Sequence, residues 1–416
     1  MPTIKSQYNQ YDIFIICSIT LLIIGSVQYS FIGYQFILAI MSFPLLVLEM
    51  HDIAQKKRIS HITLFMLIWI IYAYISIIWA QQGQYIIRNL WQLTLCIIIF
   101  IGVYRAAQNA NAPIDSILVG WTTLVLITLC IAFWEILTDS HIPHYGDFNA
   151  LEQGGIGTLS HRIYAAVTYG NLNSYNTLLC MAFPFLCFGV FKLQKKMPVV
   201  LAIVGSIIVL IVNSSRGALL ALAINIIVFL YYYWKQPFQH KRLITFFLVI
   251  IGTLITIKYG SLIAFQAVNR FESYGIHHIL EEEEGGRWDL WRTGIESCIK
   301  SFGIGTGVGS TQTIYEQAGF TILFSHNFVI EFIIQYGIWL FIPLGLQLVN
   351  GWYSLIRSNN NITKMLGWML LLSFIPTVII DDSYIAHSFF WLWLCSQFVV
   401  YREYAIDKSY TYKLSQ

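Results

Sequence analysis

Residues 303–348 read GIGTGVGSTQTIYEQAGFTILFSHNFVIEFIIQYGIWLFIPLGLQL and change at His326 from a polar loop to an apolar run. A helix of about 20 apolar residues is long enough to cross the roughly 30 Å hydrocarbon core of a bilayer. The run 326–348 therefore predicts a membrane span. The loop in front of it, 259–325, is the longest polar stretch of the chain, and we expect the chemistry of the protein to lie there.

The rest of the chain repeats the apolar run many times. Of its 416 residues, 57% are hydrophobic and only 11% are charged, whereas soluble globular chains are about 25% charged. Because so little charge cannot cover a water-facing surface, the composition predicts an integral membrane protein that is all-α and polytopic. The twelve predicted spans lie near residues 11–28, 30–49, 62–80, 86–104, 116–137, 172–191, 198–213, 217–234, 243–262, 326–348, 366–381 and 387–401.

The spans leave no room for a soluble domain of useful size. Residues 1–416 are therefore expected to form a single membrane bundle with a loop at 138–171 and a larger loop at 259–325. The first span lacks a small-residue cleavage site and is expected to be a retained helix. The basic residues are dispersed among loops, and they give no indication of nucleic-acid binding.

The distribution of lysine and arginine predicts the orientation of the spans, because cytoplasmic loops are enriched in these residues. If the N-terminus is cytoplasmic and the spans alternate, 16 of the 24 basic residues lie on the cytoplasmic side. The two long loops then lie outside the cytoplasm. The remaining basic residues face the same side as these loops: Arg88, Arg162, Arg216, Lys258, Arg270, Arg287, Arg292 and Lys300.

Residues 286–301 of the large loop have the pattern of an amphipathic helix. Its apolar residues recur at spacings of three and four, which places them on one face. We expect this helix to lie in the membrane interface with its tryptophans towards the lipid. The apolar face is formed by Trp288, Trp291, Ile295 and Ile299.

The two arginines of this helix differ in the partners available to them. Arg292 has Asp289 three residues before it and Glu296 four residues after it, and both spacings allow an ion pair on a helix. Arg287 stands at the helix start with no carboxylate on its own turn, where a cation is unfavourable. We therefore interpret Arg287 as an anion ligand; the alternative is that it pairs with the acidic run 281–284.

A further arginine lies in the turn 213–217, NSSRG, between two apolar spans. Arg216 could simply extend its charge to the membrane surface. Alternatively it binds an anion there, because the planar guanidinium matches phosphate. Small residues around it leave room for a bulky group.

The end of the large loop offers a candidate base. With Ser325 as the N-cap, His326 is expected to begin the apolar helix, where the helix N-terminus disfavours the imidazolium and favours a neutral ring that can accept a proton; the alternative is a capping role. Glu331 is a second candidate, because carboxylates inside a membrane are usually functional, although it could also be neutral or pair with an arginine. The glycine cluster 303–309 is expected to be a flexible connector, since no Walker lysine follows it.

No metal site is predicted. Asp381, Asp382 and His387 form a short turn that could line a site. Two pairs of histidines lack a third ligand at metal spacing and are interpreted as residues of solvated loops: His141 with His144, and His277 with His278.

Several of these segments together resemble the bacterial O-antigen ligase and O-antigen polymerase superfamily, over roughly the C-terminal 60% of the chain. Gly170-Asn171-Leu172-Asn173 is similar to the family's Gly-Asn-Pro-Asn, with Leu172 in place of proline. Ser215-Arg216-Gly217 is similar to its Ser-Arg-Gly. Arg287 and Trp288 resemble the start of its loop helix.

The histidine motif of the ligases is the fourth point of resemblance. His326-Asn327 is followed by nine residues and then by Gly337, as in that motif. Leu340 is a departure, because it stands where the motif ends in Gly, Thr or Tyr.

The resemblance implies a glycosyltransferase of the GT-C type in the bacterial cytoplasmic (inner) membrane. It would move a glycan from undecaprenyl diphosphate to a sugar hydroxyl on the outer side, with inversion and without a metal or another cofactor. His326 would be the catalytic base, and Arg216 and Arg287 would bind the diphosphate. Supporting residues would be Arg292, Asn327, Glu331, Asn171 and Asn173.

The acceptor distinguishes the two main functions that the resemblance implies. A polymerase extends a lipid-linked chain of repeat units, and Leu340 favours this function. A ligase attaches the finished chain to lipid A–core. A flippase or transporter is a less favoured alternative, because the sequence shows no inverted repeat and few charges within its spans. A non-catalytic membrane scaffold would tolerate loss of Arg216, Arg287 and His326.

Overall fold

The computed structural model describes residues 8–24, 34–56, 59–81, 83–142, 164–235, 287–321, 323–381, 383–385 and 387–413. These residues form helices and connections, with no strand among them. The α-helices of this part are α1 (Gln10–Thr20), α2 (Tyr34–Lys56), α3 (His61–Ser76), α4 (Tyr85–Asn109), α5 (Pro113–Thr138), α6 (Leu172–Lys192), α7 (Lys196–Asn213), α8 (Arg216–Lys235), α9 (Arg287–Lys300), α10 (Ser310–Gln317), α11 (Phe328–Ile356), α12 (Asn361–Thr377) and α13 (Ser388–Lys413). Two 3₁₀ turns lie at Leu21–Ile24 and Val167–Tyr169.

The helices agree with the predicted spans. Every predicted span except 243–262, which lies outside the described residues, overlaps one of them. Within the described part, 7 helices are long and apolar enough to cross a membrane, namely α2, α4, α5, α6, α7, α8 and α11. The chain is therefore a membrane protein with an all-helical fold, whereas the total of twelve spans stays a prediction.

Asparagine side chains determine where several helices begin. The Oδ1 atom of Asn327 accepts from the backbone of Val329 at 3.0 Å, and Asn171 caps α6 in the same way. Such caps satisfy N–H groups that the first turn of a helix leaves without a partner. Two predicted site residues, Asn171 and Asn327, thus have a structural task.

A buried aromatic cluster fixes α11 in the centre of the bundle. The ring of Trp69 on α3 contacts Phe332 and Tyr336 on α11, with centroids 4.7 and 5.5 Å apart. The same ring contacts Trp391 on α13 at 4.9 Å. Buried aromatic pairs at such distances add to the stabilisation from apolar burial. The beginning of α11 is therefore held rigidly between α3 and α13.

The backbone of α11 is broken at Gly337, which has a φ of +79° and a ψ of 167°. A break of this kind leaves carbonyls at the end of the first half and N–H groups at the start of the second half without helical partners. The segment 303–309 supplies those partners. Thr306 N donates to the Ile334 carbonyl at 2.7 Å, and Ile338 N donates to the Gly303 carbonyl at 2.9 Å.

The glycine cluster is therefore more than the flexible connector that the sequence predicts. Residues 305–309 are buried, and the backbone of Gly309 donates to the side chain of Gln335 at 3.1 Å. A Cβ on Gly305 would lie 2.5 Å from the Gly337 nitrogen, so only glycine allows the two segments to approach. The prediction of flexibility is wrong because the Gly337 break, which the apolar pattern conceals, provides a docking place.

Replacement of Gly337 by alanine is expected to destabilise the protein strongly. The added Cβ would lie 2.3 Å from the Gly303 carbonyl oxygen, and the backbone is left-handed at this position. Overpacking and the left-handed conformation together cost about 2–4 kcal/mol. The measurement is the Tm of the purified protein in detergent, which should fall for Gly337→Ala.

Gly345→Ala on the same helix is the matched control, because no atom lies within 4 Å of a Cβ at that position. Alanine is the better helix former there, so the Tm should be unchanged or slightly higher. An equal fall in both variants would contradict the role assigned to the break.

Candidate active site

The connection between α12 and α13, residues 378–387, is where the predicted site elements meet. We refer to it as the α12–α13 turn. Its Val378 carbonyl accepts from Phe328 N, at the start of α11, at 3.0 Å. The next carbonyl, of Ile379, accepts from Nη1 of Arg287 at 3.2 Å. Because these carbonyls are consecutive, the beginnings of α9 and α11 lie side by side.

Arg216 reaches the same turn from α8, of which it is the first residue. A Cβ on the following residue, Gly217, would lie 3.1 Å from Cγ1 of Ile380 and 3.4 Å from the Pro376 carbonyl oxygen. A side chain at position 217 would therefore be in tight contact with Ile380, which would have to give way by a few tenths of an ångström. The glycine after Arg216 allows the close approach that brings this arginine to the site.

Arg216 lies close enough to Arg287 to influence the pKa of the Arg287 guanidinium. Although the Arg287 side chain keeps contact with solvent, desolvation by the surrounding protein lowers its pKa, and the like charge of Arg216 lowers it further. Two guanidinium groups that repel each other are stabilised by an anion placed between or beside them. This pair is the main indication of an anion site on the protein.

His326 lies just outside α11, which corrects the predicted helix start. The N-cap is Asn327 and the helix begins at Phe328, whereas Ser325 as N-cap would have placed His326 in the first turn. His326 is half-buried and has a φ of +49°. Histidine is one of the few residues other than glycine that is enriched in this left-handed region. The backbone bends at His326, between the end of the large loop and the start of α11.

Ser325 has partners other than the helix, and these hold His326 near Arg287. The Ser325 carbonyl accepts from Nε1 of Trp291, one turn after Arg287 on α9, at 2.6 Å. Its Oγ lies 3.1 Å from the hydroxyl of Tyr315. Burial raises the pKa of Tyr315 to about 12, so this phenol stays protonated at neutral pH. The contacts explain why Ser325 does not cap the helix.

The amphipathic helix is present as α9, with a difference at one tryptophan. Trp288, Ile295 and Ile299 are exposed, as expected for a face towards lipid. Trp291 is only partly exposed and donates to Ser325. It therefore joins α9 to the histidine segment instead of facing the lipid with the others.

Arg292 is paired on its own helix, as its spacing predicts. Its Nε lies 3.0 Å from Oε1 of Glu296, and both side chains are largely exposed. An exposed pair of this kind contributes little to stability. Arg292 thus has its partner on its own helix, whereas Arg287 donates to the α12–α13 turn.

Two buried carboxylates, of Glu331 and Asp381, stabilise the α12–α13 turn. Glu331 is buried on α11 and accepts from Oγ of Ser383 at 2.6 Å and from Tyr384 N at 2.9 Å. Asp381 is fully buried, accepts from Oγ of Ser174 at 2.7 Å and lies 3.7 Å from Nε2 of His387. These contacts explain why carboxylates occur at these positions.

The Gly-Asn-Leu-Asn segment, 170–173, also leads to the turn. Asn171 Oδ1 accepts from Asn173 N at 2.8 Å and so starts α6. Ser174 follows at once and donates to Asp381. The two asparagines therefore act on the site through the position of α6.

Several predicted residues are not part of this arrangement. His141 lies 3.6 Å from Glu135 and stacks on Tyr164 with centroids 4.2 Å apart, so it is packed rather than solvated. No cluster of His, Cys, Asp and Glu suited to a metal occurs within the described ranges. The following residues lie outside them: His144, Arg162, Lys258, Arg270, His277, His278, the acidic run 281–284 and Asp382.

Comparison with known proteins identifies a family that part of this chain matches. Residues 201–345 match the family model described as O-antigen ligase. In this region the chain is similar to the O-antigen ligase family. Searches of curated proteins and of solved structures gave no significant match. The match to the O-antigen ligase family contains Arg216, Arg287 and His326, and it ends before the α12–α13 turn.

The turn therefore contributes site-forming residues that neither motif nor family match indicates. Ser174, Ser383 and Tyr384 make the hydrogen bonds that join α6, α11 and the turn. The hint in the sequence is Asp381, Asp382 and His387, as polar residues in a short turn after a span. Serine and tyrosine are common throughout the chain, so their types give no signal.

Proposed function

We propose that this protein is a membrane glycosyltransferase of surface-polysaccharide synthesis. It transfers a glycan from undecaprenyl diphosphate to a sugar hydroxyl. The observation that carries the proposal is the meeting of Arg216, Arg287 and the His326 segment at one turn. The O-antigen ligase match over residues 201–345 supports the same reaction class.

The chemistry of the transfer suits these side chains. The acceptor oxygen attacks the anomeric carbon while the bond from that carbon to the diphosphate oxygen breaks. The hydroxyl proton passes to the imidazole of His326, acting as general base. The leaving diphosphate gains negative charge, which the Arg216 and Arg287 guanidinium groups stabilise. Direct displacement inverts the anomeric configuration, and the two arginines take the role that a metal ion has in other transferases.

The site fits a substrate that is anchored in lipid. Trp288, Ile295 and Ile299 give α9 an exposed apolar face beside Arg287, which suits a helix at the bilayer surface. A diphosphate at this level leaves the polyprenyl chain within the bilayer and the glycan in water. The positive-inside distribution supports an outer position for the site in the cytoplasmic (inner) membrane.

Two acceptors fit the proposal. We favour a growing lipid-linked chain, hence a repeat-unit polymerase, because Leu340 replaces the last residue of the ligase motif. Leu340 is a buried core residue one turn beyond the Gly337 break, so it acts on the packing of α11. The second candidate, transfer of a finished chain to lipid A–core, is favoured by the ligase description of the matched family.

A gel of surface glycans from a strain that lacks the gene tests the proposal. Loss of a polymerase is expected to leave single repeat units on the acceptor, because initiation and attachment still occur. Loss of a ligase would leave long lipid-linked chains and a bare acceptor. An unchanged glycan pattern, with wild-type lipid-linked intermediates, would exclude both, and restoration by the plasmid-borne gene is the control.

A further inference from the structure

Tyr384 lies at the centre of the α12–α13 turn and has no counterpart among the motifs. We infer that Tyr384 is a positioning residue that orients the Arg287 guanidinium through the carbonyl of Ile379. The inference rests on the proposed function, since it assigns Arg287 to the diphosphate. It adds a residue outside the region that matches the O-antigen ligase family.

The hydroxyl of Tyr384 satisfies three main-chain groups of its own turn. It accepts from Ile380 N at 3.0 Å and from Asp381 N at 2.9 Å, and it donates to the Thr377 carbonyl at 2.8 Å. A phenol offers one donor and two acceptor positions, so all three are used. The side chain is fully buried, and burial raises its pKa well above the ordinary value, which keeps the proton that donates to Thr377.

These bonds bracket the carbonyl that holds Arg287. Thr377 comes before Ile379 in the chain, and Ile380 and Asp381 come after it. Main-chain groups of these three residues all form hydrogen bonds with the hydroxyl of Tyr384. The peptide plane of Ile379 therefore has little freedom, and its carbonyl has a fixed direction. Arg287 Nη1 donates to that carbonyl at 3.2 Å. Without the hydroxyl, two buried N–H groups would lose their acceptor, so the turn would rearrange.

The backbone of Tyr384 connects the α12–α13 turn to α11, which begins just after His326. Tyr384 N donates to Glu331 at 2.9 Å, and Glu331 lies on α11 five residues after His326. A single residue thus sets the position of Arg287 relative to the start of α11.

A double-mutant cycle on the full-length protein in detergent tests this inference, with inorganic pyrophosphate as the probe. Tyr384→Phe is expected to weaken pyrophosphate binding at least about tenfold, as for loss of a bond to a charged group. In an Arg287→Ala background the same change should have no further effect on the Kd, because the residue through which it acts is gone. A merely structural role would lower the Tm in both backgrounds and leave the Kd of the single variant unchanged.

Tyr401→Phe is the matched control, because it removes another buried hydroxyl, which donates to Gln397 at 2.7 Å on α13. Its pyrophosphate affinity should equal that of the wild type. If Tyr384→Phe does not fold, Glu331→Gln is the second variant, since it leaves one amide oxygen where two carboxylate oxygens accept from Ser383 Oγ and Tyr384 N, and so loosens the turn.

Two results overturn the inference in distinguishable ways. An unchanged Kd in Tyr384→Phe, or a further weakening in the Arg287→Ala background, overturns the role of Tyr384 alone. Failure of the wild-type protein to bind pyrophosphate overturns the proposed diphosphate site and, with it, the role of Tyr384.

Discussion

Arg287→Ala is expected to lower the transfer rate by about 10²–10³-fold, as does removal of a group that stabilises developing negative charge in other active sites. The diphosphate becomes more negative as the glycosidic bond breaks, and the guanidinium of Arg287 is already held by the Ile379 carbonyl before the substrate arrives. The measurement is release of undecaprenyl diphosphate from a lipid-linked donor by the purified protein. Pyrophosphate should also raise the Tm of the wild type more than that of the variant, because the stabilisation by a ligand grows with its affinity.

Arg292→Ala is the control for Arg287→Ala. The two arginines lie on the same short helix, but Arg292 is exposed and paired with Glu296 at 3.0 Å. Since an exposed pair is worth at most about 1 kcal/mol, the rate and the pyrophosphate response should stay near those of the wild type. Equal losses in both variants would indicate that α9 depends on its total charge, and would contradict a specific site at Arg287. Arg287→Lys should recover only part of the rate, because a point charge does not reproduce the planar fork.

The positions of the helices could be predicted because runs of about 20 apolar residues contrast sharply with short Lys-rich loops. The break in α11 could not. Gly337 and Gly345 both lie within the apolar pattern of α11. Gly337 has a φ of +79°, and a Cβ on it would lie 2.3 Å from the Gly303 carbonyl oxygen, whereas no atom lies within 4 Å of a Cβ on Gly345. The segment 303–309 produces that difference, because it packs against the break at Gly337. The apolar periodicity of α11 does not indicate this contact.

The candidate site was predictable where charge is unusual for its place. Arg287 was identified because a cation at a helix start needs a partner, and Arg216 because a charge between spans does. The α12–α13 turn was not predictable in the same way. Tyr384 is one of 25 tyrosines in the chain. Its hydroxyl binds main-chain groups, which every residue type has, so the sequence of its partners does not reveal the contacts.

The start of α11 shows why a local rule can fail by two residues. Ser325 and Asn327 are both good N-caps, and local sequence does not choose between them. The choice is made by Trp291 and Tyr315, which engage the carbonyl and the hydroxyl of Ser325. Long-range contacts therefore decide whether His326 is inside the helix or at the bend before it.

The bend determines which variant tests His326 most sharply. At a φ of +49° alanine would strain the backbone by roughly 1 kcal/mol, whereas asparagine tolerates the left-handed region. His326→Asn removes the base and keeps the turn, and it is expected to lower the transfer rate by about 10²–10⁴-fold, the usual contribution of a general base. The pyrophosphate-induced rise in Tm should remain, because the arginines are intact.

This combination separates the two parts of the proposed mechanism. Arg287→Ala should lose transfer and bind pyrophosphate more weakly, whereas His326→Asn should lose transfer alone. His141→Ala is the matched histidine control, since His141 packs on Tyr164 just after α5, and its rate should stay near that of the wild type. If His326→Asn transfers glycan at the wild-type rate, His326 is not the base, and the proton of the acceptor must pass to another group beside the turn. If it loses pyrophosphate binding as well, the bend at His326 instead contributes to the anion site, because the segment joins Trp291 on α9 to the start of α11.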